Sequence, residues 1–180
     1  ADALSYYDDV AREHPSTTTE VVAFTLRADL LARTRRTPEA VVVLERARAL
    51  AAGGELAPGV GFLLGQLLEQ PPAPPGTAAR VYREVLRDFP DKPAGLQSGI
   101  RLAMLLASNG QPDSALAVLD RVDRDSPRDA ESSAQVRFQK GLVLGASGRE
   151  ADAIRELRSV ATDFPRTRAG LMAPLRVAEY

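Results

Sequence analysis

The stretch ESSAQVRFQKGLVLGASGREADAIRELRSVATDFP, residues 131–165, reads as two helices joined by a turn. Ala153, Ile154, Leu157, Val160 and Ala161 stand at offsets 0, 1, 4, 7 and 8, which is one apolar stripe on an α-helix. Arg155, Glu156 and Arg158 fall off that stripe and are expected in water. Before them, Val136, Gly141 and Leu144 mark a first helix that Gly148 breaks. Glycine most easily takes the positive φ needed just past a helix end. Pro165 cannot continue the second helix and biases Phe164 toward an extended backbone, so the hairpin ends there.

The same wording recurs along the chain. Ala40, Ala78, Ala115 and Ala153 are spaced by 38, 37 and 38 residues. Each has an apolar residue four and seven places on: Leu44 and Ala47, Tyr82 and Val85, Leu119 and Val122, Leu157 and Val160. Pro90, Pro127 and Pro165 stand twelve places on in three of the four periods. Gly110 and Gly148 each precede their alanine by five residues. A fixed period of this length marks a repeat architecture. The short residues Ala28, Gly65, Ala103 and Gly141 fall where the two helices of each hairpin should cross closely.

The repeat places ten helices, near 2–13, 17–34, 38–52, 57–70, 76–89, 93–109, 112–125, 129–147, 150–163 and 167–179. The chain is expected to be one all-α array with repeats near 1–15, 17–53, 56–91, 93–128, 129–166 and 167–180, cut in mid-repeat at both ends. One period is irregular: its first helix carries Gly59, Gly61 and Gly65, and its loop is Pro71-Pro72-Ala73-Pro74-Pro75-Gly76, expected as a stiff, extended connector.

Composition narrows the chemistry. A net charge of −1 on 180 residues gives no long-range pull toward nucleic acid or anionic lipid, and no nucleic-acid partner is expected. With no cysteine there is no disulfide, thiol catalysis or Cys-ligated metal. No run of apolar residues is long enough to span a bilayer, which leaves peripheral membrane association open. His14, the single histidine, has no nucleophile or acid arrangement beside it in sequence and is expected at a helix C-terminus. Gly59-Val60-Gly61-Phe62-Leu63-Leu64-Gly65 lacks the spacing and the preceding strand of a dinucleotide loop, and close helix packing explains its glycines better. Asp120, Asp123 and Asp125 lack the glycine and terminal glutamate of a calcium loop. Arg33, Arg35 and Arg36 read as a solvated helix end. No catalytic residue, metal site or cofactor is expected.

Gly141, Leu144, Gly148, Ala153, Leu157 and Pro165, and in the preceding period Ala103, Leu106, Gly110, Ala115, Leu119 and Pro127, resemble tetratricopeptide repeats. The family repeat of about 34 residues is a helix–turn–helix with small residues at the crossing and proline at the end. Two features depart from it: the period is longer, and Gly99 and Arg137 stand where an aromatic often opens the first helix. The resemblance implies a right-handed α-solenoid of about five hairpins that binds protein partners and is not an enzyme. It also implies that first helices line the concave wall. Carried over by register, the recognition positions are Gln97, Ile100, Arg101 and Met104, then Gln135, Phe138, Gln139 and Leu142, and, earlier, Val22, Thr25, Leu26 and Asp29.

Asp88-Phe89-Pro90 followed by Ala94-Gly95-Leu96 recurs as Asp163-Phe164-Pro165 followed by Ala169-Gly170-Leu171. This junction is similar to bacterial envelope repeat proteins, such as the lipoprotein of the outer-membrane barrel-assembly machinery and the Tol–Pal-associated coordinator. It implies an accessory or assembly subunit of an envelope or membrane-associated complex, in the bacterial periplasm or at the membrane periphery. Two other readings stay open: a periplasmic peptide- or glycan-binding factor using the concave groove, and the repeat domain of a larger enzyme.

Overall fold

The computed structural model describes residues 3–125 and 129–180. Pro127 lies outside the described residues. Among the described residues there are ten helices and no strand: α1 (Ala3–Glu13), α2 (Thr18–Arg33), α3 (Thr37–Leu50), α4 (Ala57–Leu68), α5 (Thr77–Asp88), α6 (Pro93–Ser108), α7 (Pro112–Asp125), α8 (Ala130–Ala146), α9 (Glu150–Asp163) and α10 (Arg168–Val177). The chain divides into two compact units, Ala1–Val85 and Leu86–Tyr180, each with its own core.

In the first unit α1 packs on α2, α2 on α3, and α3 on α4. Phe24, Leu31, Leu44, Leu64 and Tyr82 are buried here, together with the repeat alanines Ala40 and Ala78. Gly61 and Gly65 let α4 lie directly on α5: a Cβ on Gly61 would come 2.6 Å from Val85, and one on Gly65 would collide with the Tyr82 ring. The Tyr82 hydroxyl donates to the Glu69 carboxylate, so the buried phenol keeps a polar partner. Arg48 of α3 reaches Glu84 of α5 at 2.6 Å, and Arg80 adds a second contact at 3.0 Å. The Pro71–Gly76 loop is not extended. Ala73 N–H donates to Gln70 and Thr77 N–H to Pro74, giving two successive turns. A loop this short must reverse the chain between α4 and α5, and that requirement overrides the proline preference for extended backbone.

The second unit holds the hairpins α6–α7 and α8–α9, with α10 packed on α8 and α9. One buried cluster joins Leu96 and Ile100 to Leu119, Val122 and Val136. Another joins Ala134, Leu157 and Val160 to Ala169 and Ala173. Ala115 and Ala153 are fully buried. Gly141 is pressed against Leu157, where a Cβ would come within 2.7 Å. The short residue of this first helix thus accommodates the leucine four places beyond the repeat alanine. Arg137 of α8 spans the hairpin to Glu156 at 3.0 Å and Asp163 at 2.8 Å, with a hydrogen bond to Ser159. Burial alone would lower the Arg137 pKa, but its bonds and charge contacts to Glu156 and Asp163 outweigh that and raise it.

Three hairpin turns are built alike. Arg36 N–H bonds to Leu31 C=O at 2.8 Å, Gln111 to Leu106 at 2.9 Å, and Arg149 to Leu144 at 3.0 Å. These are the long bonds of a Schellman turn. The residue before each donor has positive φ: Gly110 at 74°, Gly148 at 78°, and Arg35 at 60°. First helices also start alike. Thr17 Oγ1, Asp129 and Thr167 Oγ1 accept from the N–H groups of Glu20, Ser132 and Gly170. Lys92 holds the same position before α6, with no side-chain cap.

Candidate interaction grooves

The close approaches fix the register of the first helices. Gly61 meets Val85 as Gly99 meets Val122, and Gly65 meets Tyr82 as Gly141 meets Leu157. Counting from these pairs, and from the matched small residues Ala28 and Ala103, the positions Val22, Gly59, Gln97 and Gln135 are equivalent in α2, α4, α6 and α8. Within each unit they lie where one first helix faces the other.

In the second unit this flank is closed by amides. Gln97 Nε2 donates to Gln135 Oε1 at 3.1 Å, and Gln135 Nε2 donates back at 3.5 Å, tying α6 to α8. Between α8 and α10 a groove of about 410 Å³ opens. Gln135, Phe138 and Gln139 line one wall, Arg168, Met172 and Arg176 the other, and Glu131 the end. Arg176 is held by Glu179 at 2.7 Å.

In the first unit the flank is open. A groove of about 240 Å³ runs between Val22, Thr25 and Leu26 of α2 and Gly59, Val60 and Leu63 of α4, with Glu55 and Leu56 at its end. Val22 is 42% exposed and Leu26 46%, high values for large aliphatic side chains. Thr25 Oγ1 is occupied by a bond to Val21 C=O at 2.8 Å. Asp29 lies outside this lining and pairs weakly with Arg33 at 3.8 Å.

The expected recognition residues therefore separate. Gln135, Phe138 and Gln139 are brought together in one groove, and Val22, Thr25 and Leu26 in another. Met104 is 43% exposed, and Arg101 and Leu142 are half-buried. Ile100 is a correction: it is 3% exposed and belongs to the core shared with Leu119 and Val122. Leu96, Ile100 and Ala103 are the i, i+4, i+7 stripe of α6, so Ile100 faces inward. Phe138 has two roles, since it lines the groove and also packs against the cluster around Leu157. Sequence reasoning passes over Val60, Leu63, Arg168, Met172 and Arg176. Extending the same register into α4 and α10 finds Leu63, Met172 and Arg176, whereas Val60 and Arg168 lie off it and are seen only in the folded chain.

Several of the residues weighed for chemistry are engaged in ordinary contacts. Asp120 pairs with Lys140 at 2.6 Å and Asp125 with Arg121 at 3.3 Å. Arg36 pairs with Glu39 at 2.6 Å, which lowers the Glu39 pKa chiefly through their hydrogen bond. His14 follows the last residue of α1, where its carbonyl accepts from Thr17 Oγ1 at 2.6 Å. Glu20 is a buried carboxylate. It accepts from Ser16 N–H at 2.6 Å and meets Arg46 at 3.4 Å, while Arg46 lies over the Phe24 ring. Among the described residues no acidic, histidine or cysteine group of three could hold a metal ion, and no helix is long and apolar enough to cross a membrane.

Residues 73–174 match the family model described as Tetratrico peptide repeat. No curated protein matches the chain. Among solved structures, the repeats of a Podosopora anserina protein described as a kinesin light chain with nearly identical TPR-like repeats superpose with a TM-score of 0.67 at 17% identity, covering 88% of this chain and 84% of that one. A single-substitution form of the same protein gives 0.68 at 17% identity, covering 96% and 87%. YrrB, described as a TPR protein with an unusual peptide-binding site, gives 0.57 at 18% identity, covering 88% and 75%. At these identities the likeness is one of fold.

Proposed function

The chain belongs to the tetratricopeptide repeat family, and on that premise we propose that it is a non-enzymatic scaffold that holds protein partners through the grooves between its first helices. The observation that carries this reading is the groove between α8 and α10. There Phe138 and Met172 offer apolar contact, and Gln139 and Arg168 offer polar heads, a mixture suited to a peptide or a protein edge. The peptide-binding site described for YrrB supports the same use of such a fold.

The finer reading is an accessory or assembly subunit of a bacterial envelope or membrane-associated complex, in the periplasm or at the membrane periphery. Its support is the recurring Asp-Phe-Pro junction, with the two Ala-Gly-Leu segments that follow it at Ala94 and Ala169. Glycine is required at both copies of that junction, because a Cβ on Gly95 would strike Phe89 C=O and one on Gly170 would strike Phe164 C=O.

Native co-purification from gently solubilised source membranes, with cross-linking mass spectrometry, tests both levels. Cross-links from α6, α8 or α10 to envelope or membrane proteins are expected. Recovery only in the soluble fraction, without a cross-linked partner, contradicts the membrane-complex reading.

A further inference from the structure

We infer that the opening between α2 and α4 is a docking site for a partner segment that presents a bulky aliphatic or aromatic side chain beside a lysine or arginine. The inference rests on the scaffold reading above and names the chemistry of one partner.

Gly59 is the starting point. The other glycines of α4 have a packing reason, since Gly61 and Gly65 admit Val85 and Tyr82. Gly59 has none. Its φ is not positive, and a Cβ placed on it would meet nothing within 4 Å. Glycine is a poor helix former, so its presence without a steric need at a groove suggests close approach by something outside the chain.

The register sharpens this. Where α6 and α8 place Gln97 and Gln135, whose amides close the flank, α2 and α4 place Val22 and Gly59. The result is an opening walled by exposed Val22, Leu26 and Leu63 rather than a satisfied polar contact. Burying such aliphatic surface is favourable for an apolar side chain of a partner.

Charge selects the neighbour of that side chain. Glu55 is the one charged residue among those lining the opening, and it is exposed. No cation pairs with it among the described residues. A cationic side chain of the docked segment would meet it, and a segment rich in acidic residues would be repelled.

The test is selection of a random phage-displayed peptide library on the full chain, with binding of the selected peptides then measured against variants. Peptides combining a bulky apolar residue with a nearby Lys or Arg are expected. Gly59→Leu, which fills the opening, should weaken them about tenfold or more, as loss of one buried anchor does. Because Gly59→Leu meets no neighbour at its Cβ, its thermal midpoint should not fall. Leu26→Asp, on the opposite wall, should weaken the same peptides, and Glu55→Lys should reverse the preference for basic residues. Selected peptides that bind Gly59→Leu and Leu26→Asp as tightly as the parent overturn the assignment, as does enrichment of acidic sequences or of none. Peptides lost instead on Arg168→Glu also overturn it while leaving the scaffold reading in place, which the membrane cross-linking reads independently.

Discussion

Gly170 lies so close to the carbonyl oxygen of Phe164 that no side-chain carbon fits between them. Gly95 and Phe89 repeat the relationship 75 residues earlier. The obstacle is backbone, which cannot rotate away as a side chain can. Thr167 fixes the geometry from the other side: its Oγ1 accepts from Gly170 N–H at 3.0 Å and donates to Phe164 C=O at 2.9 Å. Gly170→Ala should therefore cost about 3 kcal/mol, the upper end of overpacking penalties. Urea denaturation checks this. Gly59→Ala, with no neighbour in reach, should instead be neutral or stabilising by up to about 1 kcal/mol.

Arg35 occupies the turn position that Gly110 and Gly148 hold in the later hairpins, at a φ of 60°. A left-handed backbone is costly for a residue with a Cβ. Arg35→Gly should raise stability by about 0.5–1 kcal/mol, a gain partly offset by the freer unfolded chain. Thermal unfolding should show a rise of about 2–4 °C per kcal/mol in a chain of this size.

Lys92 sits where Thr17, Asp129 and Thr167 cap their helices, and its backbone is already extended as a cap requires, with φ −97° and ψ 151°. Lys92→Asp should stabilise α6 by about 1 kcal/mol, read as a higher urea midpoint. Asp129 indicates the pH behaviour to expect. Hydrogen bonds from Ser132 lower its pKa, so that cap weakens only as pH falls through the lowered value.

Glu84 links α3 and α5 through Arg48 and Arg80. Burial alone would raise its pKa, but the hydrogen bond and charge of Arg48, with Arg80 behind it, bring it below the ordinary value of 4.5. A carboxylate lowered on folding contributes stability above its unfolded pKa and loses it as pH falls through the folded one. Glu84→Gln should be destabilising near pH 7 by about 1 kcal/mol, since the pair is only partly buried and solvent still screens it. Denaturation repeated at falling pH should show that difference vanish at the acid end of the titration.

The periodic elements are legible in the sequence because the alanine comb is a packing rule repeated four times. Ala40, Ala78, Ala115 and Ala153 are all buried against a neighbouring helix, and the 3.6-residue stripe follows from them. The groove residues are half legible. Register locates Gln135, Phe138 and Gln139, but Ile100 at the equivalent place lies in the core, because in α6 the buried stripe passes through it. Sequence pattern groups Gly59 with Gly61 and Gly65 as packing glycines. Its open surroundings depend on what α2 places opposite, which no local pattern contains. The Pro71–Gly76 loop follows the chain reversal rather than its composition.

The most direct measurement replaces Gln139, in the groove between α8 and α10, with a photo-crosslinking amino acid in the native host. A matched control carries it at Arg158, on the exposed side of α9. The scaffold account predicts a discrete protein adduct from position 139 and little from position 158. Adducts from position 158 alone would contradict it and move the binding surface to the second helices.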